Sequence, residues 1–249
     1  MKRLYKTLIL LLLTISYSCQ YIQKEIKQSD SEKNGPTLIK SYYEKSGALK
    51  SEITIIDNKK NGPARKYYPT GEIHTIVNYV NNIKEGETIW YYKNGQAYRV
   101  TPYLNGKMHG IRKIYYENGK LQAEIPYKNG DLVTGTKEYD KKGKIIPENT
   151  TILIEALDNL RIEDKFILKI KLSKRANKVQ FFEEKTSTEN VKYLYPITTN
   201  QSGTAIIEYM LTRGGSKKDD LMIYAEYETK LGNPALINKL YQLNITNAN

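Results

Sequence analysis

Cysteine is nearly absent from this chain: its 249 residues include one, Cys19. A single thiol excludes an intramolecular disulfide framework. Histidine is almost as scarce, with only His74 and His109, so the nitrogen and sulfur ligands of a zinc cage are lacking. No nucleophile elbow, phosphate-binding glycine loop or paired-histidine helix motif occurs. The chain therefore reads as a non-enzyme, with no metal and no cofactor. Acidic pairs stand at Glu183-Glu184 and Asp219-Asp220. The first is expected at an aromatic strand end and the second in a polar turn, where carboxylates are solvated rather than set up as an acid/base pair. Phenylalanine and tryptophan are also rare, with three and one residues. The one strongly apolar run, Leu8 to Ile15, is too short to span a bilayer as a helix.

That run follows Lys2, Arg3 and Lys6 and precedes Ser16, Tyr17, Ser18 and Cys19. Positive n-region, apolar core and small residues make residues 1–18 a signal peptide. A small residue followed by Cys resembles a bacterial lipoprotein signal, which implies lipidation of Cys19 as the mature N-terminus. An ordinary secretory signal beside an incidental Cys is the alternative. Gln20 lacks the acidic character that commonly retains lipoproteins in an inner membrane, so the expected address is the cell envelope, preferably the outer membrane. Residues 19–39 read as a flexible tether.

What the chain has in excess is tyrosine. There are 22, of which 13 fall between residues 40 and 146. They keep time with glycine. Gly47, Gly71, Gly95, Gly119 and Gly143 are each 24 residues apart, preceded by Tyr42-Tyr43, Tyr67-Tyr68, Tyr91-Tyr92, Tyr115-Tyr116 and Tyr139. Ile55, Tyr79, Tyr103 and Tyr127 keep the same step, and Gly62, Gly86 and Gly110 follow it, drifting to Gly135. A fixed period of this kind marks a repeat array.

Within a repeat, Ile111 to Tyr116 reads as a short strand. Asn118-Gly119 reads as a turn, for which a two-residue type I′ geometry is expected. Leu121, Ala123, Ile125 and Tyr127 then alternate with polar residues as a return strand. Each repeat is thus one β-hairpin. Pro102 and Pro126 inside the return strands ask for an edge, a bulge or a strand end. The recurring Tyr-Tyr-x-x-Gly, alternating strand and x-Gly turn over residues 40–146 resembles the MORN-repeat variant of bacterial proteins. The resemblance implies stacked β-hairpins in an elongated sheet and brings no catalytic residues.

After Pro147 the period is lost. Seven short apolar stretches, Thr151 to Ala156, Phe166 to Leu172, Lys178 to Phe182, Val191 to Tyr195, Thr204 to Leu211, Leu221 to Tyr227 and Leu240 to Ile245, read as strands of a small immunoglobulin-like β-sandwich over residues 147–249. The whole is expected to be all-β, an antiparallel hairpin array followed by that sandwich.

The chain carries a formal charge of +12. Residues 40–146 hold 19 basic and 11 acidic groups, a surplus of +8, while residues 147–249 hold 14 and 13. The basic array favours anionic partners, or its lysines solvate an exposed sheet and guard its edges. Nucleic acid is not expected as a partner of an exported protein. One Tyr of each pair must point to either face, serving as core or, beside a cation, as a binding strip; Tyr67, Tyr91, Tyr115 and Lys113 are the candidates. The expected function is a protein-interaction or scaffold module held to the membrane by the N-terminal lipid, its partner an envelope protein. The alternative is a glycan or cell-wall-binding module that takes an anionic glycan.

Overall fold

The structure is a computed structural model that describes residues 35–248. The signal segment, Cys19 and the tether as far as residue 34 lie outside the described residues. Within the described part, the first strand starts at Thr37, so the array begins inside the stretch read as tether.

Thirteen strands form one antiparallel sheet that follows chain order. They are β1 (Thr37–Tyr42), β2 (Leu49–Ile56), β3 (Lys59–Lys60), β4 (Gly62–Tyr67), β5 (Ile73–Val80), β6 (Ile83–Tyr91) and β7 (Ala97–Leu104), then β8 (Lys107–Met108), β9 (Gly110–Tyr115), β10 (Leu121–Lys128), β11 (Asp131–Leu132), β12 (Lys137–Tyr139) and β13 (Ile145–Ile146). The sheet is a continuous meander, each hairpin paired to the next, as a unit that cannot bury its own apolar face requires.

Two turn types alternate along its edges, and the type I′ geometry expected at Asn118-Gly119 is not the one found there. At Asn94-Gly95 and Asn118-Gly119 only the glycine has positive φ (82° and 78°), and Gly95 N–H bonds Tyr92 O while Tyr92 N–H bonds Gln96 O. This is a three-residue turn closed by a left-handed glycine, with a register shift at Trp90/Tyr91, not a two-residue type I′ turn. The asparagine serves by its side chain instead: Asn94 Oδ1 accepts from Gln96 N–H at 3.0 Å, and its Nδ2 donates to Glu117 O of the next turn at 3.1 Å. The two-residue turns lie on the other edge, at Asp57-Asn58, Asn81-Asn82, Asn105-Gly106 and Asn129-Gly130. There both residues have positive φ, as type I′ demands.

The second glycine of each repeat makes a bulge. Gly110 sits at φ 105°, and His109 N–H reaches Pro102 O at 3.1 Å. An antiparallel residue aims its N–H and C=O at the same neighbour, so the missing N–H of Pro102 falls at the irregular step. A Cβ on Gly110 would lie 3.1 Å from Pro102 Cγ, so the proline ring and the bare glycine pack as a pair. Of the three expected explanations for these prolines, the bulge is the one found. The same glycines stand directly opposite tyrosines, Gly62 to Tyr79, Gly86 to Tyr103 and Gly110 to Tyr127. Each ring is thereby given space across the neighbouring strand, which is why both positions share the 24-residue step.

The remaining strands are β14 (Ile152–Asn159), β15 (Lys165–Leu172), β16 (Asn177–Thr186), β17 (Lys192–Ile197), β18 (Ala205–Met210), β19 (Ser216–Glu228) and β20 (Pro234–Thr246), with a short helix α1 (Leu160–Glu163) after β14. They make a three-stranded sheet, β14-β15-β18, and a four-stranded sheet, β17-β16-β19-β20. All seven expected strands are present. Phe166, Leu168 and Ile170 from one sheet meet Phe181, Ile223 and Leu243 from the other in a shared buried core. In the constant-type immunoglobulin order the fourth strand joins the first sheet; here β17 joins β16. Asp219 and Asp220 lie within β19, opposite Leu243 and Gln242, rather than in a polar turn.

The β19–β20 hairpin is longer than its apolar stretches suggested at both ends: Ser216–Asp220 pair with Gln242–Thr246 at the open end, and Pro234–Lys239 pair with Ile223–Glu228 towards the tip, which meets the array. Glu138 of β12, 8% exposed, accepts from Thr229 Oγ1 at 2.5 Å and Asn233 Nδ2 at 2.6 Å. Thr136 Oγ1 donates to Pro234 O at 3.0 Å.

Candidate functional site

The strand register sorts the array's side chains onto two faces. One cross-strand row runs Lys40, Glu52, Arg65, Ile76, Ile89, Val100, Lys113, Glu124, Lys137. Three apolar residues stand at its middle with charged residues on both flanks. Because neighbours along a strand alternate, Tyr67, Tyr91 and Tyr115 share this face with Lys113. The four candidate residues therefore fall on one surface, the tyrosines half-buried and Lys113 exposed. Ile111 and Tyr98, 49% and 38% exposed, extend the apolar part.

The end repeats differ from the middle ones. Tyr67 Oη donates to Glu52 Oε1 at 2.8 Å and Tyr139 Oη to Glu124 Oε2 at 2.9 Å. The bond from Tyr67, aided by Arg65, holds the Glu52 carboxyl below its ordinary pKa, while burial and the Glu52 carboxylate raise that of Tyr67. The Glu124 carboxylate raises Tyr139 in the same way. At the equivalent positions of the central repeats Ile76 and Val100 replace the glutamates, so Tyr91 and Tyr115 border an apolar strip.

The second Tyr of each pair has a different task. Tyr43 Oη donates to Tyr67 O at 2.7 Å, Tyr68 to Tyr91 O at 2.7 Å, Tyr92 to Tyr115 O at 2.8 Å and Tyr116 to Tyr139 O at 2.8 Å. Each therefore ties its own turn to the next repeat. The five beat glycines, Gly47, Gly71, Gly95, Gly119 and Gly143, all take positive φ at the ends of these turns.

The opposite face carries Lys66, Thr75, Trp90, Arg99, Ile114, Ala123 and Glu138 in one row. The Arg99 guanidinium stacks 3.9 Å from the Trp90 ring centroid, and Arg112 lies 4.7 Å from that of Tyr127. Burial, and then the charge of Arg112, lower the pKa of Arg99. Sequence reasoning missed these arginines; their signal was their place beside Trp90 and Tyr127 on the buried period of the alternation.

The two histidines and the Glu183–Glu184 pair make local contacts. His74 Nδ1 lies 2.8 Å from Thr75 Oγ1 and His109 Nδ1 3.1 Å from Asn129 Oδ1. Glu183 and Glu184 sit inside β16 rather than at its end. Glu183 pairs with Lys185 and Glu184 with Lys192 at 2.7 Å. Among the described residues no group of three or more metal-ligating side chains occurs.

Three consecutive segments, residues 60–81, 84–105 and 108–129, match the MORN repeat variant family. They start at the 24-residue step of the glycines and each ends in a two-residue turn. This part of the chain is a run of MORN-variant repeats. No curated protein matches the chain.

Proposed function

We propose that this chain is a non-enzymatic, lipid-anchored protein of the cell envelope, in the outer membrane, whose repeat sheet docks another envelope protein. Three in-phase MORN-variant repeats support a repeat-based protein-interaction module as the class of function. The observation that carries the choice of surface is the strip of Ile76, Ile89 and Val100, bordered by Tyr91 and Tyr115 and flanked by Arg65 and Lys113. An apolar centre with aromatic borders and a charged rim has the make-up of a protein interface, and half-buried tyrosines are its usual anchors. The flanks carry cations at Lys40, Arg65, Lys113 and Lys137 against Glu52 and Glu124, so the partner's rim is acidic. The anchor rests on the sequence of residues 1–19.

A photo-crosslinking residue placed at 91 or at 115, in cells carrying the full chain, tests the surface. One discrete adduct from both positions is expected, lost with Lys113→Glu and not formed from position 210 on the sandwich. Adducts equally strong at 210, or none at 91 and 115, would rule the strip out. Fractionation of a Cys19→Ser variant tests the anchor separately: the protein is expected to leave the membrane.

A further inference from the structure

From β2 to β10, short of Glu138 in β12, the face that carries Trp90 holds cations without counter-charges. Lys60 Nζ lies 5.3 Å from the Tyr79 ring centroid, Lys84 Nζ 4.9 Å from that of Tyr103, and Arg112 lies over Tyr127. In the paired positions of β2 to β10 no carboxylate stands on this face. None of the ion pairs among the described residues includes these lysines, Arg99 or Arg112. Burial, and less strongly the Glu226 carboxylate of the sandwich, raise the pKa of Tyr127, and no ion pair joins Glu226 to Arg112. Arg112 is anchored by Thr101 Oγ1 at 3.2 Å and Tyr127 Oη at 3.1 Å, whereas Arg99 Nε is buried with no acceptor. Two half-buried guanidiniums on adjacent strands, one with an orphan donor, repel each other at a cost that a bound anion removes.

We propose that this face is a binding track for a linear acidic polysaccharide, whose carboxylates are received by Arg99, Arg112 and Lys84. Neighbouring strands lie about 4.8 Å apart, so one cation–tyrosine pair recurs roughly every 9.6 Å along the array. That is close to the length of a disaccharide, so in a polyuronate every second carboxylate meets a cation, one at each repeat. The aromatic rings hold the cations in place before binding, which lowers the entropy lost when each meets a carboxylate. Among the described residues the hydroxyls of Tyr79 and Tyr103 make no hydrogen bond, and they stand beside the cations as partners for sugar hydroxyls. A membrane surface fits less well, because Lys84, Arg99, Arg112 and the tyrosine rings are half-buried within a sheet and only Lys60 projects from it. The track lies on the face opposite the docking strip and stands or falls independently of it.

Trp90 is the chain's single tryptophan and touches Arg99, so its emission reports on the site. The full chain in neutral detergent micelles is titrated with polygalacturonate, dextran, polyphosphate and phosphatidylglycerol vesicles. A saturable change with polygalacturonate and none with dextran is expected. In Arg99→Gln the half-saturating concentration rises roughly tenfold, the usual scale for one charge-assisted contact. Lys113→Ala and Tyr115→Ala on the other face leave it unchanged. Should Arg99→Gln lose its folded circular dichroism, the Lys60→Gln/Lys84→Gln double variant, which touches no buried donor, carries the same expectation. No response to polygalacturonate, or equal binding by these variants, would overturn the proposal. A response to polyphosphate alone would reassign the track to phosphate polymers, and one to vesicles alone to a lipid surface.

Discussion

The array and the sandwich are both antiparallel β-structure, yet different physics holds each together. The sandwich closes two sheets on a shared apolar core, in which Phe181, Leu168, Ile170 and Ile223 are fully buried. Over most of its length the array is one layer. Apart from Ile125, its fully buried side chains are small or polar, Thr88, Thr101 and Ala123, and many of its large residues are half-buried tyrosines, four of them tied to the next repeat by hydroxyl bonds. A two-layer domain concentrates stability in a few side chains, whereas a repeat sheet spreads it over many equivalent contacts. The sharpest way to break that comparison is to remove one residue from each.

Phe181→Ala gives the largest expected effect. Truncating a fully buried phenylalanine costs about 3–5 kcal/mol, much of a small domain's stability. Calorimetry of the full chain is expected to show a sandwich transition moved sharply down while the array transition shifts little. Loss of both transitions together would mean that the two parts fold as one unit.

The junction comes next. Glu138→Ala leaves the buried donors of Thr229 and Asn233 without their acceptor, at a cost of about 1–3 kcal/mol. Two separate transitions are expected where the parent shows partial coupling, with hydrogen exchange rising at β12 and at the 229–233 tip and nowhere else.

These contrasts also explain what could be read in the sequence. The array was legible because each of its rules repeats: the glycine beat, the Tyr pair and the Tyr79–Tyr103–Tyr127 series all recur in phase. The sandwich was legible only as strands, since Leu221 to Tyr227 is a mainly apolar run while Ser216 to Asp220 is polar, although β19 includes both. The Glu138 contact could not be seen, because its partners lie 91 and 95 residues away and nothing local distinguishes Glu138 from Ile114 or Trp90 at the same repeat position. The turn assignment failed for a specific reason. Asn-Gly favours a type I′ turn only where both residues adopt positive φ, and at Asn94 and Asn118 side-chain bonds to the adjacent backbone stabilise the other geometry. On the candidate surface, Tyr67, Tyr91, Tyr115 and Lys113 could be grouped by alternation alone. Arg99 and Arg112 could not, because their significance lies in the missing counter-charge on their face.

The smallest change tests the array's own logic. Tyr92→Phe keeps the ring, its edge-on contact with Tyr98 at 5.2 Å and the turn, and deletes only the bond to Tyr115 O. One neutral hydrogen bond contributes about 1 kcal/mol net, so the single variant should move the array transition slightly and leave the sandwich transition in place. If the bonds act as equivalent links, Tyr68→Phe and Tyr116→Phe should each have a similar effect. The triple variant should then lose the sum, since sites a full repeat apart add when they share no partner. A triple variant much less stable than that sum would show that the repeats melt as one cooperative sheet. The comparison with the sandwich would then narrow from how stability is distributed to which chemistry supplies it.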